Sequence, residues 1–274
     1  MTRIAICAPA TPITRADAAR VQAIASAEFP SLQLEFHEQC FAEAGHFAGP
    51  DAERLAALLD CANSGAEAVW FAKGGYGSNR IVAEAVERLS GRGAEQQWLG
   101  YSDCGYLLAA ANRYRFAQAV HGPMPVDVRR DGGEEAVRRA LGWLAGSTEG
   151  LEPGLNEQPA VAFNLTTLAM LCGTRFLPDL TGRVVLVEEV AEHLYAVDRL
   201  FFHVTEHLRG IAALRLGRLG AVPENDRPFG TEPEDIARDW CARAGIAYLG
   251  RADIGHDAAN RIVPFDLAAG DARS

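Results

Sequence analysis

The sequence predicts an α/β protein built from two domains. Short runs rich in Val, Ile, Leu and Phe alternate with segments of helical period, which is typical of βαβ units around a mostly parallel sheet. The stretch Gly146–Gln158 interrupts this alternation, because it is rich in Gly, Pro and Glu and lacks an apolar period. We therefore predict an N-terminal domain over residues 1–145, a linker over 146–158 and a smaller C-terminal domain over 159–274.

The N-terminal domain is predicted to contain four strands and five helices. The strands are Ile4–Ala8, Leu32–His37, Ala68–Lys73 and Trp98–Gly100. The helices are indicated by a capping box at 14–17, by Pro50-Asp51, by Ser78–Leu89, by Cys104–Arg113 and by the apolar series Val137, Leu141 and Leu144.

The C-terminal domain is predicted to continue the same alternation. Its strands are Ala160–Phe163, Val184–Glu188, Ala212–Leu216 and Ile246–Leu249. A helix with an apolar stripe from Val197 to Leu208 follows the second of them, and a helix capped at Thr231 precedes the last. Ligand sites in such folds lie at the carboxyl ends of strands and between domains.

Composition narrows the functional classes. The net charge of −10 disfavours nucleic-acid binding, and no apolar run approaches the ~20 residues of a membrane span. The six cysteines are scattered without a C-x-x-C pair, and no His, Cys, Asp or Glu group has metal-ligand spacing. We therefore predict a cytoplasmic protein with reduced thiols and no metal.

A glycine-rich turn follows the third predicted strand. Its sequence is Lys73-Gly74-Gly75-Tyr76-Gly77, and such a turn can present backbone N–H groups to an anion. It is not a dinucleotide fingerprint, because Arg80 stands where a third glycine would be needed. A simple tight βα turn is an equally good interpretation of this segment alone.

The fourth predicted strand leads into a serine-containing turn, Gly100-Tyr101-Ser102-Asp103-Cys104. A strand, a sharp turn with serine at its apex and a following helix describe a nucleophile elbow, although Cys104 replaces the second glycine of G-x-S-x-G. The alternative is that Ser102 or Asp103 merely caps the helix.

A serine nucleophile needs a base and an acid that orients it. His256 is the favoured base, because it lies in a turn-rich loop near the C-terminus. His121 could line the same site or be a packed polar residue. Glu188 closes a predicted strand and is the favoured acid, with Glu189 and Glu192 as alternatives.

Two further histidines, His203 and His207, share a helix at a spacing of four residues. They lack the glutamate of the H-E-x-x-H zinc motif. We therefore interpret them as part of a solvated helix face.

Several of these segments occur in an order that resembles a known family. The chain is similar to the LD-carboxypeptidase (muramoyltetrapeptide carboxypeptidase) family of serine peptidases, which includes the microcin-immunity peptidases. The resemblance rests on segments at 4–9, 47–54, 73–77, 100–103, 121–124, 164–165, 187–199 and 255–256, which cover nearly the whole chain.

The resemblance implies a catalytic triad of Ser102, Glu188 and His256, with an oxyanion hole from the backbone N–H groups of Gly75 and Asp103. It also implies a flavodoxin-like or Rossmann-like N-terminal domain that carries the nucleophile, and a C-terminal domain that carries the acid and the base. Members of the family are usually homodimers and need no cofactor.

The implied substrate is a murein tetrapeptide, cut between the L-centre of its diamino acid and the terminal D-amino acid during cell-wall recycling. Lys73, Arg80 and His121 are candidate substrate-binding residues, although Lys73 stands where the family usually has arginine. A microcin-immunity-type peptidase acting on a peptidyl-nucleotide or another acyl amide is an alternative. A non-catalytic α/β module that binds an anion is a second.

Overall fold

The computed structural model describes residues 1–91, 93–155 and 158–266, and it contains two sheets covered by helices. The strands are β1 (Thr2–Cys7), β2 (Leu32–Phe36), β3 (Ala68–Phe71), β4 (Gln97–Gly100), β5 (Gln118–His121), β6 (Ala160–Asn164), β7 (Val184–Val190), β8 (Ala213–Gly220), β9 (Tyr248–Arg251) and β10 (Val263–Pro264). The helices are α1 (Arg15–Glu28), α2 (Asp51–Asn63), α3 (Ser78–Leu89), α4 (Gly105–Tyr114), α5 (Gly133–Leu144), α6 (Leu165–Leu171), α7 (Leu194–His207) and α8 (Pro233–Ala244).

The first sheet has six strands in the order β10-β5-β4-β3-β1-β2, and only β10 runs antiparallel to its neighbour. Residues Ile4–Cys7 in β1 and all of β3 are buried, as expected for strands covered by helices on both faces. Gly100 of β4 pairs with His121 of β5. The turns after β3, β4 and β5 therefore meet at one edge of the sheet.

The second sheet has four parallel strands in the order β6-β7-β8-β9. Its register shifts between β7 and β8, where Val187 pairs with Leu216 but Glu189 pairs with Leu219. Two residues of β8, Gly217 and Arg218, thus stand opposite Glu188. This β-bulge bends β8 at the position where Glu188 enters the site.

One of two buried hydrophobic clusters joins the two sheets, and the other lies with the first sheet. A continuous cluster of buried side chains includes Phe71 and Trp98 of the first sheet together with Phe163, Val187 and Leu216 of the second. Among the described residues, no helix combines the length and the apolar character needed to cross a membrane.

The α/β class predicted from the sequence is confirmed, and most predicted elements lie within a few residues of their observed positions. Three elements were not predicted: β5, α6 and the short β10. The prediction that Thr231 caps the last helix is wrong, because Glu232 is the N-cap and Pro233 occupies the first helical position that proline favours.

The chain returns to the first sheet near its end. β10 belongs to the predicted C-terminal domain but pairs with β5, and Leu151 of the predicted linker forms a bridge with Ile262. A division near residue 150 stays a proposal. Residues 156 and 157 of that linker, and 267–274 of the C-terminal domain, lie outside the described residues.

Candidate active site

Ser102 occupies the apex of a tight turn between β4 and α4. Its backbone φ is +60°, a left-handed conformation that costs a non-glycine residue about 1–3 kcal/mol. The turn continues as a single 3-10 turn through Cys104 before α4 begins. This backbone exposes the Ser102 hydroxyl at the edge of the sheet, as in a nucleophile elbow.

The hydroxyl of Ser102 lies at one end of a chain of three side chains. Its Oγ is 2.9 Å from Nε2 of His256, and Nδ1 of His256 is 2.5 Å from Oε2 of Glu188. The side chain of His256 is 9% exposed and that of Glu188 is fully buried. Residues from the two sheets thus come together in the order that nucleophile, base and acid require.

Strand alternation decides which of two adjacent glutamates reaches His256. Glu188 points toward His256, and the bulge in β8 makes room for it, since a Cβ on Gly217 would lie 2.9 Å from the Cβ of Glu188. The carboxylate of Glu189 points the other way and accepts hydrogen bonds from Asn164, Thr166 and the backbone N–H of Val190.

The ionisation of the pair follows from its burial and its charges. Burial raises the pKa of Glu188, and the adjacent imidazole of His256 opposes that rise. Burial alone would lower the pKa of His256, but the charge of Glu188 and its hydrogen bond outweigh this, so the pKa of His256 lies above its ordinary value of 6.5. The carboxylate therefore stabilises the imidazolium form.

A guanidinium holds the loop that carries His256. Arg218, in the bulge of β8, donates to Asp257 over 2.5 and 2.9 Å and to Asp253 over 2.6 Å. Its backbone N–H also donates to the carbonyl of Ile254 over 2.8 Å. Arg218 thus grips the loop on both sides of His256.

A second support comes from β5. The side-chain oxygen of the buried Asn260 accepts from the backbone N–H of Gly255 over 3.1 Å and lies 3.1 Å from Nε2 of His121. Burial lowers the pKa of His121 to about 4, with a smaller opposing effect from Asn260. His121 is therefore neutral near pH 7 and supports the loop from beneath.

The glycine turn after β3 lies against Ser102. A Cβ on Gly74 would lie 3.0 Å from the Cβ of Ser102, so a side chain at this position would press on the serine. The hydroxyl of Thr11 donates to the carbonyl of Gly74 over 2.6 Å. Because a trans peptide directs its N–H opposite to its carbonyl, the N–H of Gly75 points away from Thr11.

Asp103 ties the glycine turn to the serine turn. Its carboxylate accepts from the backbone N–H groups of Ser78 (2.8 Å) and Gly77 (3.3 Å), at the start of α3. Burial raises the pKa of Asp103, and these hydrogen bonds partly offset the rise. The two turns are thereby held in a fixed relation.

A cationic cavity of about 310 Å³ opens beside Ser102. Its described lining includes three cations, Lys73, Arg129 and Arg130, and no acidic side chain. Arg129 pairs with Asp17 and Arg130 with Asp127, whereas Lys73 has no ion pair within the described part of the chain. Because Arg129 and Arg130 are paired, the charge of Lys73 is what suits the cavity to an anionic ligand.

The predicted site residues are not all brought together. Ser102, Glu188, His256, Gly75, Asp103 and Lys73 meet at this site. Arg80 does not reach the cavity, because its guanidinium is bound to Asp51 at the surface, 2.8 Å away. His121 lies beneath the His256 loop and does not line the cavity. Arg129, Arg130, Arg218 and Thr11 were not identified from the sequence, since each acts through a contact with a distant segment.

Comparison with known proteins identifies relatives by sequence. The chain is similar to a probable murein peptide carboxypeptidase of Bacillus subtilis, with 28% identity over 255 residues that cover 87% of this chain and 79% of the relative. It is also similar to a putative carboxypeptidase of Synechocystis, with 27% identity, covering 82% of this chain and 76% of that protein.

Solved structures share the fold. A muramoyltetrapeptide carboxypeptidase from Oxalobacter formigenes superimposes with a TM-score of 0.79 at 22% identity, covering 96% of this chain and 93% of that one. The microcin C7 self-immunity protein MccF superimposes with a TM-score of 0.77 at 16% identity, covering 97% and 91%. Family sequence models match residues 4–122 as an LD-carboxypeptidase N-terminal domain and residues 159–270 as an LD-carboxypeptidase C-terminal domain. The resemblance predicted from the motifs is therefore confirmed, and the chain belongs to the LD-carboxypeptidase family.

Proposed function

We propose that this chain is a serine carboxypeptidase that removes the terminal D-amino acid from the L-centre diamino acid of a murein tetrapeptide. The observation that carries the proposal is the hydrogen-bonded series from Ser102 through His256 to the buried Glu188. The names of two relatives point to the same substrate class, since one is a probable murein peptide carboxypeptidase and the other a muramoyltetrapeptide carboxypeptidase.

In the proposed mechanism, His256 accepts the proton of Ser102 as Oγ attacks the scissile carbonyl. Glu188 stabilises the imidazolium that forms and keeps the ring in the orientation that presents Nε2 to the serine. His256 then donates this proton to the amine of the leaving D-amino acid. A water molecule, activated by the same imidazole, hydrolyses the ester on Ser102 and regenerates the hydroxyl.

The oxyanion of the tetrahedral intermediate is proposed to bind the backbone N–H groups of Gly75 and Asp103. Thr11 supports this assignment, because its hydroxyl fixes the Gly74–Gly75 peptide with the N–H directed away from Thr11. Removing one such donor typically costs about 10²–10³-fold in kcat.

The cationic cavity is proposed to bind the terminal carboxylate of the substrate. A carboxypeptidase must recognise a free chain end, and Lys73, Arg129 and Arg130 supply positive charge next to Ser102. Burial, and after it the nearby charge of Arg129, lowers the pKa of Lys73, and a substrate carboxylate bound beside Lys73 would stabilise its charged form. Arg129 and Arg130 keep N–H donors beyond those bound to Asp17 and Asp127, so recognition of a carboxylate does not depend on an arginine at position 73.

The microcin-immunity alternative gains no support from the described cavity. A site for a peptidyl-nucleotide would need an aromatic ring free to stack on a base. The aromatic residue in the lining, Tyr101, is 2% exposed, packs 4.9 Å from the ring of His256 and donates its hydroxyl to Asp127. A non-catalytic anion-binding module would not need the buried Glu188 beside a histidine.

The deciding experiment is mass spectrometry of the products formed from a purified murein tetrapeptide. We expect release of one terminal D-Ala by the wild-type protein and a loss of about 10⁴-fold or more in kcat for Ser102→Ala. A Thr166→Ala variant serves as a control, because Thr166 hydrogen-bonds Glu189 and not the triad. Activity of Ser102→Ala within a few-fold of wild type would refute the proposal.

We also propose, from the family resemblance, that the protein is a cytoplasmic homodimer. The six cysteines are all unpaired, which fits a reducing compartment. Sedimentation equilibrium of the purified protein tests the dimer, since a monomer at micromolar concentration would contradict it.

A further inference from the structure

A cysteine and two histidines meet between α6 and α7. Cys172 directly follows α6, and His203 and His207 lie one turn apart on α7. Their candidate ligand atoms all lie within 4.8 Å of one another. Cys172 and His203 are half-buried and His207 is exposed, so an ion in solution can reach the cluster. None of the three lines the cavity beside Ser102.

The backbone orients both imidazole rings. Nε2 of His203 lies 3.1 Å from the carbonyl oxygen of Ala169, and Nδ1 of His207 lies 3.0 Å from the carbonyl oxygen of His203. A carbonyl only accepts, so each of these nitrogens must carry the proton of the neutral ring. The other nitrogen of each ring, Nδ1 of His203 and Nε2 of His207, is then left with a free lone pair.

This orientation is the one that metal-binding histidines adopt. In known metal sites the ligating imidazole donates its second N–H to a backbone carbonyl or a carboxylate, which fixes the tautomer and the ring. Both histidines of the cluster have such a partner before any ion is bound. The Ala169 carbonyl lies in the last turn of α6, where helical carbonyls lack a partner within the helix.

We propose that Cys172, His203 and His207 form a binding site for one zinc ion, with water as the fourth ligand. One thiolate and two imidazoles form a mixed sulfur and nitrogen set that suits Zn²⁺. Tetrahedral bonds of about 2.0–2.3 Å would bring the ligand atoms to roughly 3.3–3.8 Å apart. Rotation of the three side chains would bring the two free ring nitrogens and the sulfur of Cys172 to this spacing. On binding, the thiol of Cys172 loses its proton to water.

The proposed ion would join two helices that support the active site without taking part in its chemistry. α6 begins beside the serine turn, where the hydroxyl of Thr167 lies 3.4 Å from the carbonyl oxygen of Ser102. A ligand that binds only the folded chain raises its stability. We therefore expect zinc to raise the unfolding temperature. We also expect the metal-free protein to hydrolyse the amide substrate as fast as the zinc-bound protein does.

Cobalt substitution tests the site without reference to activity. Titration of the metal-free, reduced protein with Co²⁺ should give two signals. One is a sulfur-to-cobalt charge-transfer band in the near ultraviolet, and the other is the set of visible bands typical of four-coordinate cobalt. Both should saturate at one ion per chain. Zn²⁺ should displace the cobalt and abolish both. The other five cysteines are buried, so they do not compete for the ion.

Matched variants assign the ligands. Cys172→Ser should lose the charge-transfer band, and His203→Ala or His207→Ala should weaken cobalt binding by about 10-fold or more. His193→Ala is the control, because His193 stacks on Tyr195 at the start of α7 and is not part of the cluster. Circular dichroism and the zinc-dependent shift in unfolding temperature are measured for every variant.

The proposal is overturned if wild-type protein gives no thiolate band with Co²⁺, or if the band survives in Cys172→Ser. It is also overturned if zinc raises the unfolding temperature of Cys172→Ser as much as that of wild type. Because none of these readouts depends on peptide hydrolysis, failure here would leave the proposed carboxypeptidase activity untouched.

Discussion

At the scale of single residues, the site depends on how two neighbouring carboxylates are used. Glu188 and Glu189 are adjacent and both are buried, yet only Glu188 touches His256. Glu189 is instead saturated by hydrogen bonds from Asn164, Thr166 and Val190, which hold the start of α6 against β7. Glu188 thus faces His256, and Glu189 faces the start of α6.

Amide substitution should separate these two roles. Glu188→Gln keeps the shape but removes the charge that stabilises the imidazolium, so we expect kcat to fall by about 10²–10⁴-fold with the fold retained. Glu189→Gln places an NH₂ group against N–H donors, so the free energy of unfolding should fall by about 1–3 kcal/mol while kcat stays within several-fold. The measurements are kcat on a murein tetrapeptide and urea denaturation. A strongly reduced kcat in Glu189→Gln together with a normal kcat in Glu188→Gln would show that Glu189, and not Glu188, is the acid.

The raised pKa of His256 predicts a pH dependence with a definite sign. Only the neutral imidazole can accept the proton of Ser102, so kcat/KM should fall as pH drops through the pKa of His256 in the free enzyme. Because Glu188 raises this pKa above 6.5, the acid limb should lie above that value in the wild-type protein. The limb should move to lower pH in Glu188→Gln, since the stabilising charge is gone. A midpoint that stays fixed in that variant would show that His256 is not the titrating base.

At the scale of elements, the bulge in β8 connects the acid and the base. The bulge places two residues opposite Glu188. Gly217 leaves room for the Glu188 side chain, and Arg218 binds the loop that carries His256. One irregularity of a strand therefore sets the relative position of two proposed catalytic groups.

Loss of the Arg218 contacts should affect turnover more than binding. Arg218→Met removes the hydrogen bonds to Asp253 and Asp257, and we expect kcat to fall by about 10–100-fold with KM changed little, because His256 loses its fixed position. Arg218→Lys, which keeps one charge contact, should recover part of kcat. The control is Arg238→Met, which breaks an exposed pair with Glu234 on α8. An unchanged kcat in Arg218→Met would show that the loop holds His256 without this clamp.

Most elements could be predicted from the sequence because their signals are local. The glycine turn and the serine turn follow strongly apolar strands, and Glu188 and His256 were found from their setting and from the family motifs. The missed features depend on contacts between distant segments. β10 has only two residues, α6 follows β6 without a turn, and Arg218 acquires its role from a register shift that periodicity does not reveal.

Dependence on distant contacts also explains why the sequence led us to interpret His203 and His207 as part of a solvated helix face. Their spacing on α7 is visible in the sequence, but the third member of the cluster, Cys172, comes from the end of another helix. Spacing along one segment cannot identify a set of side chains that the packing of α6 on α7 assembles.

At the scale of the whole molecule, the site is built across a continuous core. The serine turn belongs to the first sheet, whereas Glu188 and Arg218 belong to the second, and the loop carrying His256 connects β9 of the second sheet to β10 of the first. The buried cluster joins both sheets, and the chain crosses back at Ile262. Domain separation would therefore dismantle the site and expose apolar surface at the same time.

This continuity predicts that the two halves unfold together. Calorimetry should show one transition whose calorimetric enthalpy equals its van't Hoff enthalpy, because the larger buried cluster is built from side chains of both halves. Ile262→Val removes one methylene from a fully buried side chain that packs in the first-sheet region, which typically costs about 0.5–1.5 kcal/mol. We expect this variant to lower the single midpoint by a few degrees without splitting it. Two resolved transitions, with only one of them shifted by Ile262→Val, would contradict this prediction. They would show that the two halves unfold as independent units.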